Sequence, residues 1–145
     1  MAVYIPMIMV VTLLSYLAMH VRKNQRIILI VVSLIIPVMV AMFRYNNGAD
    51  YLMYLRMMKL AEVGGSFTTS FTSLKSIEVG YWYLLKICGF LWPGKYYLTY
   101  GLIALIICGF CYAAIWQQSK NPMLSILLFF AAGIYFDSFN GLRQY

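Results

Sequence analysis

Residues 1–19 read MAVYIPMIMVVTLLSYLAM and contain no charged side chain. A run of about twenty apolar residues is what an α-helix needs to cross a bilayer at 1.5 Å per residue. It lacks the positive leader, the shorter apolar core and the small-residue cleavage site of a signal peptide, so it reads as a retained helix. Pro6 lies near its start, where a kink is tolerable. Three further runs follow. The second, 27–43, reads IILIVVSLIIPVMVAMF and carries Pro37 as an expected kink. The third, 96–116, is bracketed by tyrosines and Trp116, in the manner of interfacial anchors. The fourth, 123–139, follows Asn121-Pro122, an N-cap with proline at the first helical position.

Composition agrees. Of the 145 residues 63% are hydrophobic and 10% charged, with a mean hydropathy of +0.80. Soluble domains are about 25% charged, and one this short leaves roughly a third of its surface unburied. Ten per cent charge does not cover that surface, which excludes an ordinary soluble domain, a disordered chain and a coiled coil. The expectation is all-α: one polytopic integral membrane domain over 1–145, with about four transmembrane helices plus a re-entrant or interfacial helix.

That extra helix is 79–92, VGYWYLLKICGFLW, interrupted by Lys86. Fourteen residues give roughly 21 Å, short of a full crossing. It reads as re-entrant or interfacial, the alternative being a true span. The turn Trp92-Pro93-Gly94-Lys95 then leads into the third span.

The net charge is +7, from 11 Lys and Arg against 4 Asp and Glu. The cations are scattered beside apolar runs and form no continuous basic stripe, so nucleic acid is not an expected partner. Membrane lipid is. Loop 20–26 carries Arg22, Lys23 and Arg26, and loop 117–121 adds Lys120 on the same side. Their density favours the cytoplasm and puts segment 44–78 outside. The raw count opposes this, because Arg44, Arg56, Lys59 and Lys75 lie in that longer segment.

Within 44–78, Asn46-Asn47-Gly48 signals a turn, and Asp50 is placed to cap a helix from 51 to about 63. On that helix Arg56, Lys59 and Glu62 form one polar stripe, either as a solvated face with a Lys59–Glu62 pair or as part of an interfacial site. Residues 64–76 are rich in Gly, Ser and Thr and read as a loop. Cys88, Cys108 and Cys111 all lie in apolar stretches. The Cys108–Cys111 spacing matches CxxC, but a redox or metal pair wants a polar, exposed setting, so these are expected to be buried small hydrophobes. No metal-ligand spacing is present, and neither metal nor cofactor is expected.

Arg44, Asp50, Glu78, Asp137 and Arg143 each sit at or near the end of an apolar segment. Ionisable groups at membrane depth are costly and usually have a partner or a function. A re-entrant 79–92 puts all five on one membrane side. They are then either interfacial anchors with intrabundle salt bridges, or a site in which Arg binds an anion and a carboxylate serves as base.

At these residues the chain resembles the EpsG-like family of membrane polysaccharide polymerases, relatives of the Wzy polymerases. The resemblance rests on Arg44 followed by Gly48-Ala49-Asp50-Tyr51 and Tyr54, on Glu78-Val79-Gly80-Tyr81, and on Asn140-Gly141-Leu142-Arg143-Gln144. Such polymerases are more than twice as long, so the resemblance implies an amino-terminal fragment. It further implies a multi-pass protein of the bacterial cytoplasmic membrane that polymerises lipid-linked repeat units in extracellular or capsular polysaccharide biosynthesis. The substrate would be a polyprenyl-diphosphate-linked oligosaccharide, and other polysaccharide-assembly proteins would be partners. As a glycosyltransferase it would use Asp50 or Glu78 on the acceptor hydroxyl. Arg44, Arg143 and Gln144 would contact the diphosphate end, while Tyr51, Tyr54 and Tyr81 would stack on sugar rings or, alternatively, serve only as interfacial anchors. The alternative is a transporter or flippase of lipid-linked saccharide, which would use the same basic cavity without chemistry.

Overall fold

The computed structural model describes residues 3–43, 51–64 and 79–140. Among the described residues every regular element is a helix: α1 (Tyr4–His20), α2 (Lys23–Met42), α3 (Tyr51–Glu62), α4 (Val79–Leu91), α5 (Tyr96–Gln118), α6 (Pro122–Ala131) and α7 (Ile134–Asn140). Two of them, α2 with 20 residues and α5 with 23, are long and apolar enough to cross a membrane. At 1.5 Å per residue they measure about 30 and 35 Å.

The two long helices run antiparallel. Gly101, early in α5, lies against the side chain of Met42 at the end of α2, and a Cβ there would sit 3.1 Å from Met42 Cγ. At the other end the Arg26 guanidinium lies over the Trp116 ring, 5.0 Å from its centroid. Helix α1 packs along α2 and α6. It turns Met7, Val11, Ser15 and Ala18 inward at helical spacing. Its opposite face leaves Ile5, Met9 and Leu13 more than half exposed, as α2 does with Ile27 and Ile28. Apolar faces of this kind suit lipid and not water.

The main core joins α1, α2, α5, α6 and α7 through Val11, Val38, Ala104, Cys108, Ile126, Phe130 and Tyr135. Polar groups inside it are satisfied locally or across helices. Ser15 Oγ donates to the Val11 carbonyl at 2.8 Å, and Ser33 Oγ donates to that of Ile30 at 2.9 Å. Pro37, buried inside α2, has no N–H, so the Ser33 carbonyl four residues back has no helical donor. The Tyr112 hydroxyl of α5 donates to it at 3.1 Å. The Tyr135 hydroxyl of α7 donates to the Pro37 carbonyl at 2.7 Å. Two tyrosines from distant helices thus hold α2 at its proline.

The fourth apolar run differs from the single span expected over 123–139. Asn121 caps it, its Oδ1 accepting from the Leu124 N–H at 3.3 Å, with Pro122 in the first turn. The helix then stops at Ala131. Gly133 takes φ +81°, a left-handed conformation that ends α6, and α7 restarts beyond it with Asp137 N–H donating to the Gly133 carbonyl. The run is two short helices, each too short to cross alone.

Helices α3 and α4, with Tyr100 of α5, form a second, smaller core of Tyr54, Met57, Met58, Ala61, Trp82, Leu85 and Tyr100. They lie side by side and parallel: Tyr54 meets Tyr81 edge-on near their starts, and Gly89 abuts the Glu62 backbone near their ends. Helix α4 has 13 residues, about 20 Å. Phe43, just past α2, stacks on Tyr97 at the start of α5, with centroids 6.2 Å apart. The chain therefore leaves α2 and enters α5 at the same end of the bundle, so α3 and α4 form an excursion from that end. Lys86, which interrupts this apolar stretch, has its ammonium 5.9 Å from the Trp82 ring centroid.

Candidate functional site

Where α2 ends and α3 and α5 begin, the helices border an open cavity of about 320 Å³. Met42, Phe43, Tyr51, Leu55, Gly94, Tyr96, Tyr97 and Tyr100 line it. Local sequence builds it directly. The turn after α4 needs Gly94 at φ +72°, and Lys95 N–H closes it onto the Trp92 carbonyl at 3.2 Å. That turn delivers Tyr96, Tyr97 and Tyr100 to the first turns of α5. The Trp92 indole N–H donates to Thr99 Oγ1 at 3.2 Å and fixes the turn against the helix.

Two contacts tie α3 to α5. Tyr51 and Tyr100 stack with centroids 5.5 Å apart and ring planes 18° from parallel, and the Tyr100 hydroxyl donates to the Tyr51 carbonyl at 3.4 Å. At the far end of α3 the Tyr96 hydroxyl donates to Glu62 Oε2 at 2.6 Å, a short bond as befits a charged acceptor. Glu62 thus serves Tyr96, and among the described residues no Lys59–Glu62 ion pair forms. Arg56 and Lys59 are exposed on the outer face of α3.

Chemically this is a pocket walled largely by aromatic rings. Flat tyrosine rings offer apolar faces to the C–H faces of a ring-shaped ligand, while their phenols offer hydrogen bonds. Of the candidate residues, Tyr51 lines the cavity. Tyr54 does not: at 1% exposure it is buried between α3 and α4. Arg44, Asp50, Glu78, Arg143 and Gln144 lie outside the described residues. Phe43 and Tyr51, the described residues that flank segment 44–50, both line the cavity. Asp137 lies exposed on α7.

Sequence reasoning missed Tyr97 and Tyr100 as pocket residues, and read the tyrosines opening α5 as interfacial anchors. The signal that distinguishes the two roles is that Tyr100 follows Tyr97 by three positions and Tyr96 by four, which makes it a helix-face neighbour of both.

The EpsG family model matches residues 26–145, from the first turn of α2 through the last of the three motifs. This chain belongs to the EpsG family. No curated protein and no solved structure matches it. Membership ties this EpsG-family protein to polysaccharide biosynthesis at a membrane, in keeping with its apolar helices.

Proposed function

We propose that this protein belongs to the machinery that elongates a glycan on a polyprenyl diphosphate, acting as a multi-pass glycosyltransferase of the bacterial cytoplasmic membrane. One observation carries the reading. The tyrosine-lined cavity opens where the chain enters and leaves the segment that bears Arg44 and Asp50. The described residues on either side of that segment, Phe43 and Tyr51, both line the cavity.

The chemistry follows from those groups. A hydroxyl oxygen of the acceptor sugar attacks the anomeric carbon of the donor glycan. The bond from that carbon to the diphosphate oxygen breaks, and polyprenyl diphosphate departs. Asp50 or Glu78 takes the hydroxyl proton. Arg44 and Arg143, whose planar forks match phosphate oxygens, hold the charge that develops on the leaving group, with Gln144 donating a further hydrogen bond.

The test is replacement of Arg44 and Arg143, singly by Ala and by Lys, in the full-length protein, with polymer length as readout. Loss with Lys as well as Ala supports bidentate recognition of phosphate. Normal polymer in the double alanine variant overturns the assignment.

The break at Gly133 favours a second reading, a transporter of lipid-linked saccharide, since discontinuous helices commonly line transport pathways. Purified protein that moves such a lipid across vesicles without extending its glycan would support it. Extension in detergent, with no vesicle present, would oppose it.

A further inference from the structure

The end of the bundle opposite the tyrosine cavity is built differently. The α1–α2 turn presents Arg22, Lys23 and Arg26, all exposed, and the α5–α6 turn presents Lys120, also exposed. The two turns adjoin, because Arg26 lies over Trp116 near the end of α5. The four helices that meet here contain no Asp or Glu. Among the described residues these cations therefore have no acidic partner from the helices packed against them.

Three details make this more than a scatter of charge. Arg26 is held: the centre of its guanidinium lies over an indole, 5.0 Å from the ring centroid, a cation–π contact that restricts where the side chain can point. Helix α2 starts at this point with no side-chain cap and no acidic residue in its first turn, so its free N–H groups add to the positive potential. Next to Arg26 the surface turns apolar at once, with Ile27 55% and Ile28 62% exposed. A free anion has no use for those two isoleucines. A lipid, whose phosphate is joined to acyl chains, satisfies both features together.

We propose that this end is a binding site for the phosphate of an anionic phospholipid, with Arg26 as the oriented contact and Arg22, Lys23 and Lys120 around it. The site stands apart from the tyrosine cavity, at the other end of α2 about 30 Å away. It does not depend on the function proposed above.

The test uses the full-length protein purified in detergent, so that membrane topology plays no part. Phosphatidylglycerol and phosphatidylcholine of matched chains are added, and bound lipid is counted by native mass spectrometry. Phosphatidylglycerol is expected to be retained in preference. Each charge removed, in Arg26→Gln and in Arg22→Gln with Lys120→Gln, lowers its occupancy about fivefold, while Lys86→Gln leaves it unchanged. The Arg22 and Lys120 pair lies on exposed turns, so it reports even where Arg26→Gln fails to fold. Equal retention of the two lipids overturns the proposal, as does phosphatidylglycerol binding unaffected by the turn variants. Displacement of the lipid by millimolar inorganic phosphate would overturn it in favour of a free-phosphate site.

Discussion

Tyr112 donates its hydroxyl to the Ser33 carbonyl at 3.1 Å, the carbonyl of α2 that Pro37 deprives of its usual donor. The bond and the proline are two halves of one device. Tyr112→Phe leaves a buried carbonyl unpaired and is expected to cost about 1–2 kcal/mol. Pro37→Ala restores the N–H at position 37 and is expected to remove most of that penalty. A double-mutant cycle read by thermal unfolding in detergent checks this. Additive effects of the two substitutions would contradict it.

The glycines give a graded series. A Cβ at Gly89 would stand 3.2 Å from Glu62 Cα, which is backbone and does not yield. A Cβ at Gly101 would stand 3.1 Å from Met42 Cγ, on a flexible side chain. At Gly109 nothing lies within 4 Å. Alanine at 89 should therefore destabilise most and at 101 less. At 109 it should stabilise by up to about 1 kcal/mol through helix propensity. Melting temperatures of the three variants give the ranking.

Helix α3 is tied to α5 by the Tyr96–Glu62 bond. Tyr96→Phe is expected to cost about 1 kcal/mol and to raise the rate of proteolysis in α3 ahead of the other helices. Glu62→Gln retains an acceptor oxygen and should be milder than Glu62→Leu. Limited proteolysis followed by peptide mass mapping measures this.

If the cavity holds sugar, its rings matter singly. Tyr51→Ala in the full-length protein should slow chain extension about tenfold, the effect of losing roughly 1.4 kcal/mol of ring contact. Tyr51→Phe should be close to normal, since the ring remains. Tyr83, 59% exposed and outside the cavity, is the control for replacing a tyrosine by alanine.

Local signals in the sequence foretold local structure well. Asn121-Pro122 opens α6, Trp92–Lys95 makes a turn on Gly94, and α3 begins at residue 51. Each of these depends on a few adjacent residues. The break in the fourth run escaped notice because one glycine in an apolar stretch looks the same whether the helix passes through it or ends there. What accompanies the break is Tyr135 meeting the Pro37 carbonyl, 98 positions away in sequence. The tyrosine cavity was hidden for another reason. A membrane-edge anchor and a pocket wall call for the same residue, and only the approach of Phe43 to Tyr97 and of Tyr51 to Tyr100 tells them apart. Of the eight candidate site residues, the described structure reaches Tyr51, Tyr54 and Tyr81, and it separates them: the first lines the cavity, while the other two meet edge-on between α3 and α4.

The proline device also has a history within each molecule. Ser33 and its tyrosine lie 79 positions apart, and a ribosome adding about 5–20 residues per second needs roughly 4–16 s to make that stretch. During those seconds α2 is already made while its exposed oxygen awaits a hydroxyl not yet synthesised. The second helix is thus an early arrival and a late settler. A nascent chain arrested before residue 112 lacks the group that completes it.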